Sequence, residues 1–409
     1  MLFAAVLTGA FWFKLYKNIP NTLYTTSGTA VSFANMPYLK IEPSSAISEG
    51  YTTASVPAGG NYMANIKLFN FIPVKQVNVN VVAQRTVNVC GTPFGIKMFS
   101  DGVMVVGFSD IYTSTGYHNP AKSAGLILGD TINSMNGVAV RTNEDVQKAV
   151  KEAGGHPIKV IFTRGGEKKE TTITAVKQQG RNSSGYMLGM WVRDSSAGIG
   201  TLTMIDTQSG VFAGLGHSIT DIDTGSSIAL LSGETVDVKI TGYSQSTPGS
   251  PGELKGVFDI QNSGTILRND ENGVYGLVSA AAATDFKGEP MPVAQSWQVV
   301  TGSAEIITTI DGTTPVRYSV EIEKITLNSE NPNKNMLIKI TDSRLLDSTG
   351  GIVQGMSGSP IVQNGKIVGA VTHVLISDPS RGFAIFAENM LNTMDSVSSE
   401  NIELQQTAA

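Results

Sequence analysis

The sequence has few of the residues that build metal sites and disulfide frameworks. It contains one cysteine, Cys90, and four histidines among 409 residues. A single cysteine excludes an internal disulfide, and together with four scattered histidines it excludes a dense Cys/His zinc site. We therefore expect no metal and no cofactor. We interpret Cys90 as a half-buried, small apolar residue.

Charged and aromatic side chains are also scarce, at 15% and 7% of the chain. The net charge of −5 includes no basic block that could neutralise a run of phosphates, so nucleic acid is not an expected partner. The 44 glycines, with many Thr, Val and Ser residues, favour strands and turns over long helices. The length suits two or three domains, and we predict a mainly β protein.

Long apolar runs are missing except at the N-terminus, residues 1–20, "MLFAAVLTGAFWFKLYKNIP". The apolar and small residues before Lys14 suffice for a signal-peptide core but fall short of the roughly 20 residues that span a bilayer. We expect a signal or anchor segment that contacts a membrane until it is removed, with the rest of the chain exported. The alternative is a buried N-terminal helix of a cytosolic protein.

Composition divides the remaining chain. Residues 21–94 are predicted to be a linker followed by N-terminal strands, with residues 21–60 open to a protease because they are rich in Ser, Thr, Ala, Gly and Pro. Residues 187–396 carry short strands between turn residues, which indicates a barrel or paired barrels. They end in a short helix, and residues 397–409 are predicted to be a frayed tail.

Residues 95–178 resemble a PDZ domain, above all in "AGLILGDTINSMNG". The pattern predicts a short helix at 121–124, a hairpin turn at Asn136-Gly137, a helix capped by Asn143, and a hairpin turn at Gly165-Gly166. The resemblance implies that a peptide adds to this domain as an extra strand.

The resemblance also places the loop that holds the peptide's terminal carboxylate. This loop corresponds to Phe94, Gly95, Ile96 and Lys97. We interpret Lys97 itself as a solvated strand residue rather than a carboxylate contact.

The segment "GMSGSP" holds a candidate nucleophile, Ser357, in a tight glycine-rich turn. A serine hydroxyl needs a base to take its proton and N–H donors to hold the developing oxyanion. The N–H groups of Gly355 and Ser357 are the candidate donors of this oxyanion hole. An ordinary Gly-Ser turn is the alternative interpretation of the hexapeptide alone.

The longer segment "GMSGSPIVQNGKIVGAVTHV" resembles, without a gap, the nucleophile hairpin of chymotrypsin-like serine peptidases. The resemblance implies that Ser357 is the nucleophile and that Thr372, His373 and Val374 form a wall of the substrate pocket. Met356 departs from the pattern, because the pancreatic enzymes have an acid there that pairs with a newly cut N-terminus.

The base should lie upstream in the same domain. His217, in "VFAGLGHSITDIDTG", follows a predicted strand and is flanked by small residues, as the catalytic histidine is in this fold. His118 and His156 fall in predicted surface loops of the PDZ domain. His373 is expected to line the pocket rather than act as the base.

The third catalytic residue orients and stabilises the imidazolium. Asp342, at the end of the predicted strand "NMLIKITD", is our candidate, with helix capping as the alternative. Asp221 and Asp223 follow His217 too closely to turn back easily, so capping or turn roles suit them better.

From about Lys67 to Met394, the chain resembles the SpoIVB-type serine peptidases of endospore-forming Firmicutes. The resemblance rests on the PDZ-before-peptidase order, "GHSITD" and "GGIVQGMSGSPIVQNGKIVGAVTHV". High-temperature-requirement proteases place their PDZ domains after the catalytic domain instead. The resemblance assigns a triad of His217, Asp342 and Ser357.

The resemblance also implies a biological role. Such a protease is made in the forespore and exported into the space between the two forespore membranes. It cleaves itself near its N-terminus, then cuts the membrane-bound regulator that restrains the intramembrane protease for pro-sigma-K. The PDZ domain would bind peptide segments or termini, with the protein's own among the candidates.

Two other functions stay open. A catalytically silent PDZ scaffold would bind peptides without cutting them. A quality-control protease of the envelope would degrade unfolded proteins broadly, whereas a signalling protease should leave casein mostly intact.

Overall fold

The computed structural model describes residues 2–44, 56–179, 185–221, 223–279 and 288–408. Its elements fall into an N-terminal unit, a PDZ-like unit and two β-barrels. The N-terminal unit comprises α1 (Leu2–Asn18), β1 (Thr22–Thr26), β2 (Leu39–Pro43), β3 (Asn61–Leu68) and β4 (Ile72–Val82).

The next elements build the PDZ-like unit and the first barrel. They are β5 (Thr86–Val89), β6 (Pro93–Phe108), β7 (Ile111–Thr113), β8 (Gly116–His118), α2 (Pro120–Ser123), β9 (Thr131–Met135), β10 (Val138–Ala139), α3 (Asn143–Ala153), β11 (Pro157–Arg164), β12 (Glu167–Thr174), β13 (Val176–Lys177), β14 (Tyr186–Met187), β15 (Met190–Ile205), β16 (Val211–Gly214), β17 (Leu230–Tyr243), β18 (Leu254–Asp270) and β19 (Gly273–Val278).

The last elements build the second barrel and its C-terminal helix. They are β20 (Glu289–Pro292), a 3₁₀ turn (Ser296–Gln298), β21 (Gly302–Thr308), β22 (Val316–Ile325), β23 (Met336–Ile340), α4 (Ser343–Thr349), β24 (Pro360–Gln363), β25 (Lys366–Leu375), β26 (Asp378–Phe386) and α5 (Ala387–Ala408).

The N-terminal unit is a four-stranded sheet in the order β1-β4-β3-β2, packed against α1. Leu23, Phe33 and Leu39 are buried in its core, so the prediction of a linker over residues 21–60 is wrong for these positions. Apolar side chains from the described part of that region, Val31 and Val56 among them, share one core, which composition alone does not reveal. Residues 45–55 of the predicted linker lie outside the described residues.

Trp297 joins this unit to the rest of the chain. Its ring is buried in the N-terminal core, and its Nε1 donates to the carbonyl of Tyr24 at 2.7 Å. The first twenty residues contribute Leu15 and Ile19 to the same core. None of the helices in the described part of the chain is long and apolar enough to cross a membrane.

Two six-stranded barrels follow. The first runs β6-β17-β18-β19-β16-β15 and closes because β15 also pairs with β6. The second is the closed barrel β21-β22-β23-β26-β25-β24. Alternating apolar residues fill both interiors, for example Phe94 and Leu202 in the first and Ile306 and Ile338 in the second. The predicted double-barrel architecture is confirmed.

The PDZ-like unit grows out of the first barrel without a break in the sheet. The distal half of β6 pairs with β9, which continues to β11 and β12, while α3 packs on the same core. The predicted turns at Asn136-Gly137 and Gly165-Gly166 are confirmed, with positive φ at all four residues. Helix α3 ends at Ala153 as expected, but its cap is Thr142, which forms a capping box with Asp145.

The predicted carboxylate-binding loop at Phe94, Gly95, Ile96 and Lys97 is wrong. These residues lie in the middle of a sheet, where β6 pairs with β15 on one edge and with β17 on the other. Both rows of backbone hydrogen-bonding groups are therefore occupied, and no peptide strand can add there. The predicted start of the PDZ domain at residue 95 also falls inside β6, which serves both units.

Cys90 is buried in the core of the first barrel rather than half-buried. Burial raises the pKa of its thiol to about 12, so the thiol stays protonated at neutral pH. This agrees with a structural role for the residue.

The predicted frayed tail is helical to residue 408. Met390, Met394 and Val397 recur at helical spacing and are buried in the core between the first and second barrels. Arg268 on β18 also forms an ion pair with Glu400. The helix persists because its apolar stripe and this ion pair tie it to the barrels.

Met394→Ala should lower the free energy of unfolding by about 2–5 kcal/mol, because Met394 is 1% exposed and its removal leaves a cavity. The matched control, Leu404→Ala, removes an exposed side chain of the same helix and should change it by less than about 0.5 kcal/mol. Urea denaturation followed by circular dichroism measures both. Equal effects of the two substitutions would contradict the integration of α5 into the core.

Candidate active site

Ser357 lies in a tight turn that connects α4 to β24. Gly355 and Gly358 on either side have φ of 97° and 93°, a region that side chains disfavour. A Cβ on Gly358 would collide with the carbonyl of Thr201 and the backbone of Leu215. Glycine is thus required at this position, because the serine turn packs directly on the first barrel.

Strand β15 holds the serine turn through three hydrogen bonds. The Thr201 N–H donates to the Ser357 carbonyl at 2.9 Å, and the Thr201 hydroxyl donates to the Gly355 carbonyl at 2.8 Å. The Thr203 hydroxyl donates to the Gly358 carbonyl at 2.7 Å. Three carbonyls of the turn are thereby fixed toward β15.

The N–H groups of the same turn have a different environment. Those of Gly355 and Ser357 donate to no acceptor among the described residues, whereas the intervening Met356 N–H donates to Val353. Two free donors around one serine are what an oxyanion hole requires. This arrangement agrees with the predicted roles of Gly355 and Ser357.

His217 follows β16 through a strained turn. Leu215 and Gly216 both have positive φ, 65° and 69°, and for a leucine this conformation is costly. A Cβ on Gly216 would lie 2.9 Å from side-chain atoms of Thr372 and Ile385 in the second barrel. The turn therefore carries His217 across to the second barrel, and the site lies between the two barrels.

The imidazole of His217 lies against that of His373, with ring centroids 4.8 Å apart. Its Nδ1 is 2.8 Å from the carbonyl of Ser218. A carbonyl only accepts, so Nδ1 carries the proton and Nε2 keeps the lone pair that a general base needs.

Burial lowers the pKa of His217 below its ordinary value, although the hydrogen bond to Ser218 opposes this shift. The pKa of His373 is lowered to about 4 by burial, with further contributions from His217 and Lys334. Both rings are therefore neutral at neutral pH. The Nδ1 of His373 is buried and has no hydrogen-bond partner among the described residues.

The predicted pocket wall lies beside the serine. Ser357 Oγ donates to the carbonyl of Thr372 at 2.7 Å, and the Thr372 hydroxyl donates to the carbonyl of Asn333 at 2.7 Å. His373 and Val374 follow on β25 and are half-buried. The structure thus brings together Ser357, His217 and the wall residues, with the serine hydroxyl bonded to the wall.

Asp342 does not join this cluster. Its carboxylate caps α4, accepts from the N–H groups of Arg344 and Ser319, and forms an ion pair with the Arg344 guanidinium at 2.7 Å. The Arg344 side chain and these N–H groups lower the pKa of Asp342 to about 2. The capping alternative describes these contacts.

The second barrel also separates Asp342 from the site. The carbonyl of Asn333 accepts from Thr372, and Lys334 helps to lower the pKa of His373. Both residues precede β23, whereas Asp342 follows it. Five residues of strand extend about 17 Å. Asp342 therefore lies near the opposite end of this strand from the imidazoles.

The other acids and histidines have the positions expected of them. Asp221 and Asp223 both pair with Arg193, and Asp221 also accepts from N–H groups of its own turn. His118 and His156 are exposed. No group of three or more His, Cys, Asp or Glu residues within the described ranges could hold a metal ion.

Sequence reasoning missed the residues that support the site: Thr201, Thr203 and the carbonyl of Ser218. The alternation in "GTLT" does indicate hydroxyls on one face of a strand. Their acceptors, however, are carbonyls 154 and 155 residues further along the chain, which no local pattern can identify.

Comparison with solved structures finds low-identity neighbours. They include the PDZ domain of an SdrC-like protein from Listeria monocytogenes, with 18% identity over 22% of this chain and 87% of that one and a TM-score of 0.18. The active form of the Rv3671c protease from M. tuberculosis gives 13% identity over 49% and 74%, with a TM-score of 0.29. The HtrA-type protease AlgW with a decapeptide gives 13% over 54% and 55%, with a TM-score of 0.29.

No curated protein sequence matches the chain significantly. The family model of the SpoIVB peptidase, S55, matches residues 184–391, just over half of the chain. This match contains strands β14 to β26, including His217, Ser357 and the whole of β15, but not β6 of the first barrel. The chain therefore belongs to the SpoIVB peptidase S55 family of serine peptidases.

Proposed function

We propose that this protein is an exported serine endopeptidase of sporulation signalling. It would cleave itself near its N-terminus and then cut a membrane-bound regulator, which triggers intramembrane processing of pro-sigma-K. The observation that carries the catalytic part is the turn of Ser357: two of its N–H groups have no acceptor among the described residues, and it packs on Leu215, two residues before His217. Family membership supports the biological part.

The chemistry follows from these contacts. His217 Nε2 would take the proton of Ser357 as Oγ attacks the scissile carbonyl, and the N–H groups of Gly355 and Ser357 would hold the oxyanion. The imidazolium would then protonate the leaving amine. Water, activated by the same ring, would release the acyl group from the serine.

The serine must first leave the carbonyl of Thr372. A rotation about its Cα–Cβ bond exchanges this acceptor for His217. It also frees the Thr372 carbonyl to accept an N–H from an extended substrate backbone along β25. Substrate binding and activation of the nucleophile would thus be one event.

We do not propose that Asp342 orients His217, although the family resemblance assigns it that role in the triad. The carboxylate of Asp342 is occupied at the start of α4. The carbonyl of Ser218 already fixes the Nδ1 proton of His217. We infer that Asp342 supports the site through α4 and the segment that leads to Ser357, without touching the imidazole.

The partners and location are part of the same proposal. The N-terminal segment would anchor the protein to the inner forespore membrane until it is cut, leaving the protease in the intermembrane space. Strands β1 and β2 are hydrogen-bonded in a sheet, so a bond inside them becomes accessible only when that sheet opens.

Ser357→Ala should abolish self-cleavage. The full chain, as wild type and as the variant, is followed by mass spectrometry of its N-terminal fragments over time. Wild type should trim itself within residues 21–90 while the variant stays whole.

Ser359→Ala is a matched control for this experiment. It removes a buried neighbouring hydroxyl that bonds only to Met356, and it should leave self-cleavage within a few-fold of wild type. If neither wild type nor Ser357→Ala is trimmed, the silent-scaffold function gains support. Degradation of casein by wild type would favour quality control.

Asp342→Asn should keep kcat/KM within about threefold of wild type, because asparagine also caps helices. Asp342→Ala should lower the free energy of unfolding by about 0.5–2 kcal/mol through loss of the cap. Hydrolysis of a fluorogenic peptide and urea denaturation measure the two effects. A fall of about 10⁴-fold in kcat for Asp342→Asn, as for a triad aspartate, would show that it orients the histidine.

The pH profile of kcat/KM should fall on the acid side with a midpoint below 6.5, the ordinary value for histidine. Activity should be lost as the pH falls because only the neutral imidazole of His217 accepts a proton. Burial lowers the pKa of this imidazole, so the loss should begin at a lower pH. His373→Gln, which removes the neighbouring ring, should keep a midpoint below 6.5 because burial is the leading cause. A wild-type midpoint at or above 6.5 would contradict this assignment.

A further inference from the structure

Two imidazoles lie side by side at the junction of the barrels. His217 follows β16 of the first barrel, and His373 lies on β25 of the second. Their ring centroids are 4.8 Å apart, and the ring planes are inclined by 37°. The mechanism proposed above uses the lone pair of His217 only, so the second imidazole has no chemical part in it.

Each ring has a nitrogen atom available to a ligand. The Nδ1 of His217 donates to the carbonyl of Ser218 at 2.8 Å, so its Nε2 carries the lone pair. The Nδ1 of His373 is buried and has no hydrogen-bond partner among the described residues. A buried polar atom without a partner is costly, and an occupant that binds it removes that cost.

The separation of the two rings suits one shared metal ion. Zinc binds an imidazole nitrogen at about 2.0–2.1 Å, which places the centroid of each coordinated ring about 3.2 Å from the ion. Two such centroids are about 5.2 Å apart when the ligands have tetrahedral positions. The 4.8 Å between the centroids of His217 and His373 is therefore within about half an ångström of the distance in a zinc site.

The cluster is open enough for an ion and for its remaining ligands. His217, His373 and Ser357 are all partly exposed. The Ser357 hydroxyl belongs to the same cluster, because it donates to the carbonyl of Thr372, the residue before His373. Water or this hydroxyl would fill the positions that the two imidazoles leave, as in zinc sites that keep an open position.

Ligand number and charge limit the affinity of such a site. No third His, Cys, Asp or Glu joins the pair within the described ranges. Lys334 is exposed, and its ammonium lies 5.3 Å from the ring centroid of Phe383, which pairs with His373 across the sheet. This positive charge opposes a second cation. A metal ion would therefore bind reversibly, as a ligand and not as a resident cofactor.

We propose that His217 and His373 together bind one divalent transition-metal ion, with Zn²⁺ as the probe, and that this ion inhibits the protein reversibly. The Nε2 of His217 and a ring nitrogen of His373 are the two nitrogen ligands. Imidazole suits Zn²⁺, whereas Mg²⁺ and Ca²⁺ take oxygen ligands, so these two ions should not bind here.

Inhibition follows from the loss of the general base. A lone pair that coordinates a metal ion cannot take the proton of Ser357, so Oγ stays protonated and does not attack. Removal of the ion by a chelator returns the lone pair and restores the activity. This step rests on the proposed peptidase activity, whereas the metal site itself does not.

The binding experiment uses the full chain carrying Ser357→Ala and no histidine tag, so that self-cleavage does not interfere. Isothermal titration calorimetry with Zn²⁺ should show one ion bound per chain. Mg²⁺ should give no binding under the same conditions. No saturable binding of Zn²⁺ at concentrations up to about 1 mM would overturn the site.

Three histidine variants of this chain locate the ion. His373→Gln removes one of the two ligands and should weaken Zn²⁺ binding at least tenfold. His118→Gln and His156→Gln remove exposed histidines of the PDZ-like unit and should bind Zn²⁺ like the parent. Circular dichroism establishes that all three are folded. Equal affinity of folded His373→Gln and the two controls would place the ion elsewhere and overturn the proposal.

Lys334→Gln tests the site in the opposite direction. Removal of a positive charge that acts on His373 should tighten Zn²⁺ binding at least twofold, a result that loss of folding cannot produce. The matched control, Lys168→Gln, removes an exposed lysine of the PDZ-like unit and should bind Zn²⁺ like the parent. Unchanged or weaker binding in Lys334→Gln would contradict coordination by His373.

The inhibition experiment uses the chain with Ser357 intact and a fluorogenic substrate. Zn²⁺ should lower kcat/KM with the midpoint found for binding, and EDTA should restore it. The midpoint should rise at least tenfold in His373→Gln, measured against that variant's own metal-free rate, and stay unchanged in His118→Gln. Binding without inhibition would overturn the inhibition but leave the site. If the chain hydrolyses no substrate at all, the proposed function fails, while the calorimetric result still stands or falls by itself.

Discussion

The position of strand β15 is the constraint on which the rest of the structure depends. One continuous strand closes the first barrel against β6, forms an edge of the PDZ-like unit, and holds the serine turn through Thr201 and Thr203. Buried hydroxyl–carbonyl bonds of this kind are costly to leave unmade, so the turn and the strand move together. The turn of Ser357 is therefore held by the opposite barrel as well as by its own hairpin, where the Gly358 N–H donates to the carbonyl of Val371.

His217, the other main residue of the site, is held in the opposite sense: its turn belongs to the first barrel and is fixed by the second. The turn at Leu215 and Gly216 belongs to the first barrel but packs against Thr372 and Ile385 of the second. Each barrel therefore holds the candidate catalytic residue that the other contributes. The left-handed conformation of Leu215 persists because both barrels determine it, and a shift between them would separate the base from the nucleophile.

The residues predicted from the sequence were those with a short, specific pattern. Ser357, its flanking glycines and the wall at Thr372 belong to one uninterrupted hairpin, so the resemblance to a nucleophile hairpin relates them. His217 could be chosen because few histidines compete for the role. The double barrel and the turns at Asn136 and Gly165 follow from strand length and turn chemistry.

The predictions that failed required knowledge of what lies beside a strand. Phe94 to Lys97 have the composition of a peptide-binding edge, but β17, more than 130 residues later in the chain, covers that edge. The role of Asp342 stays a prediction: it ends a strand, as was assumed for a triad aspartate, but the Arg344 side chain and the amide of Ser319 contact its carboxylate. The helical tail depends on a core to which both barrels contribute.

The hydrogen bond from the Ser357 hydroxyl to the Thr372 carbonyl links the candidate nucleophile to the candidate pocket wall. In this arrangement the hydroxyl is held by the wall residue that an extended substrate would need, so the nucleophile and the substrate compete for one acceptor. A substrate that cannot form backbone bonds along β25 leaves the serine where it is. Under the proposed function, selectivity for an extended segment would follow from the wall itself, before any side chain enters the pocket. A protease that must spare most proteins gains from such a requirement, because folded proteins offer few extended segments.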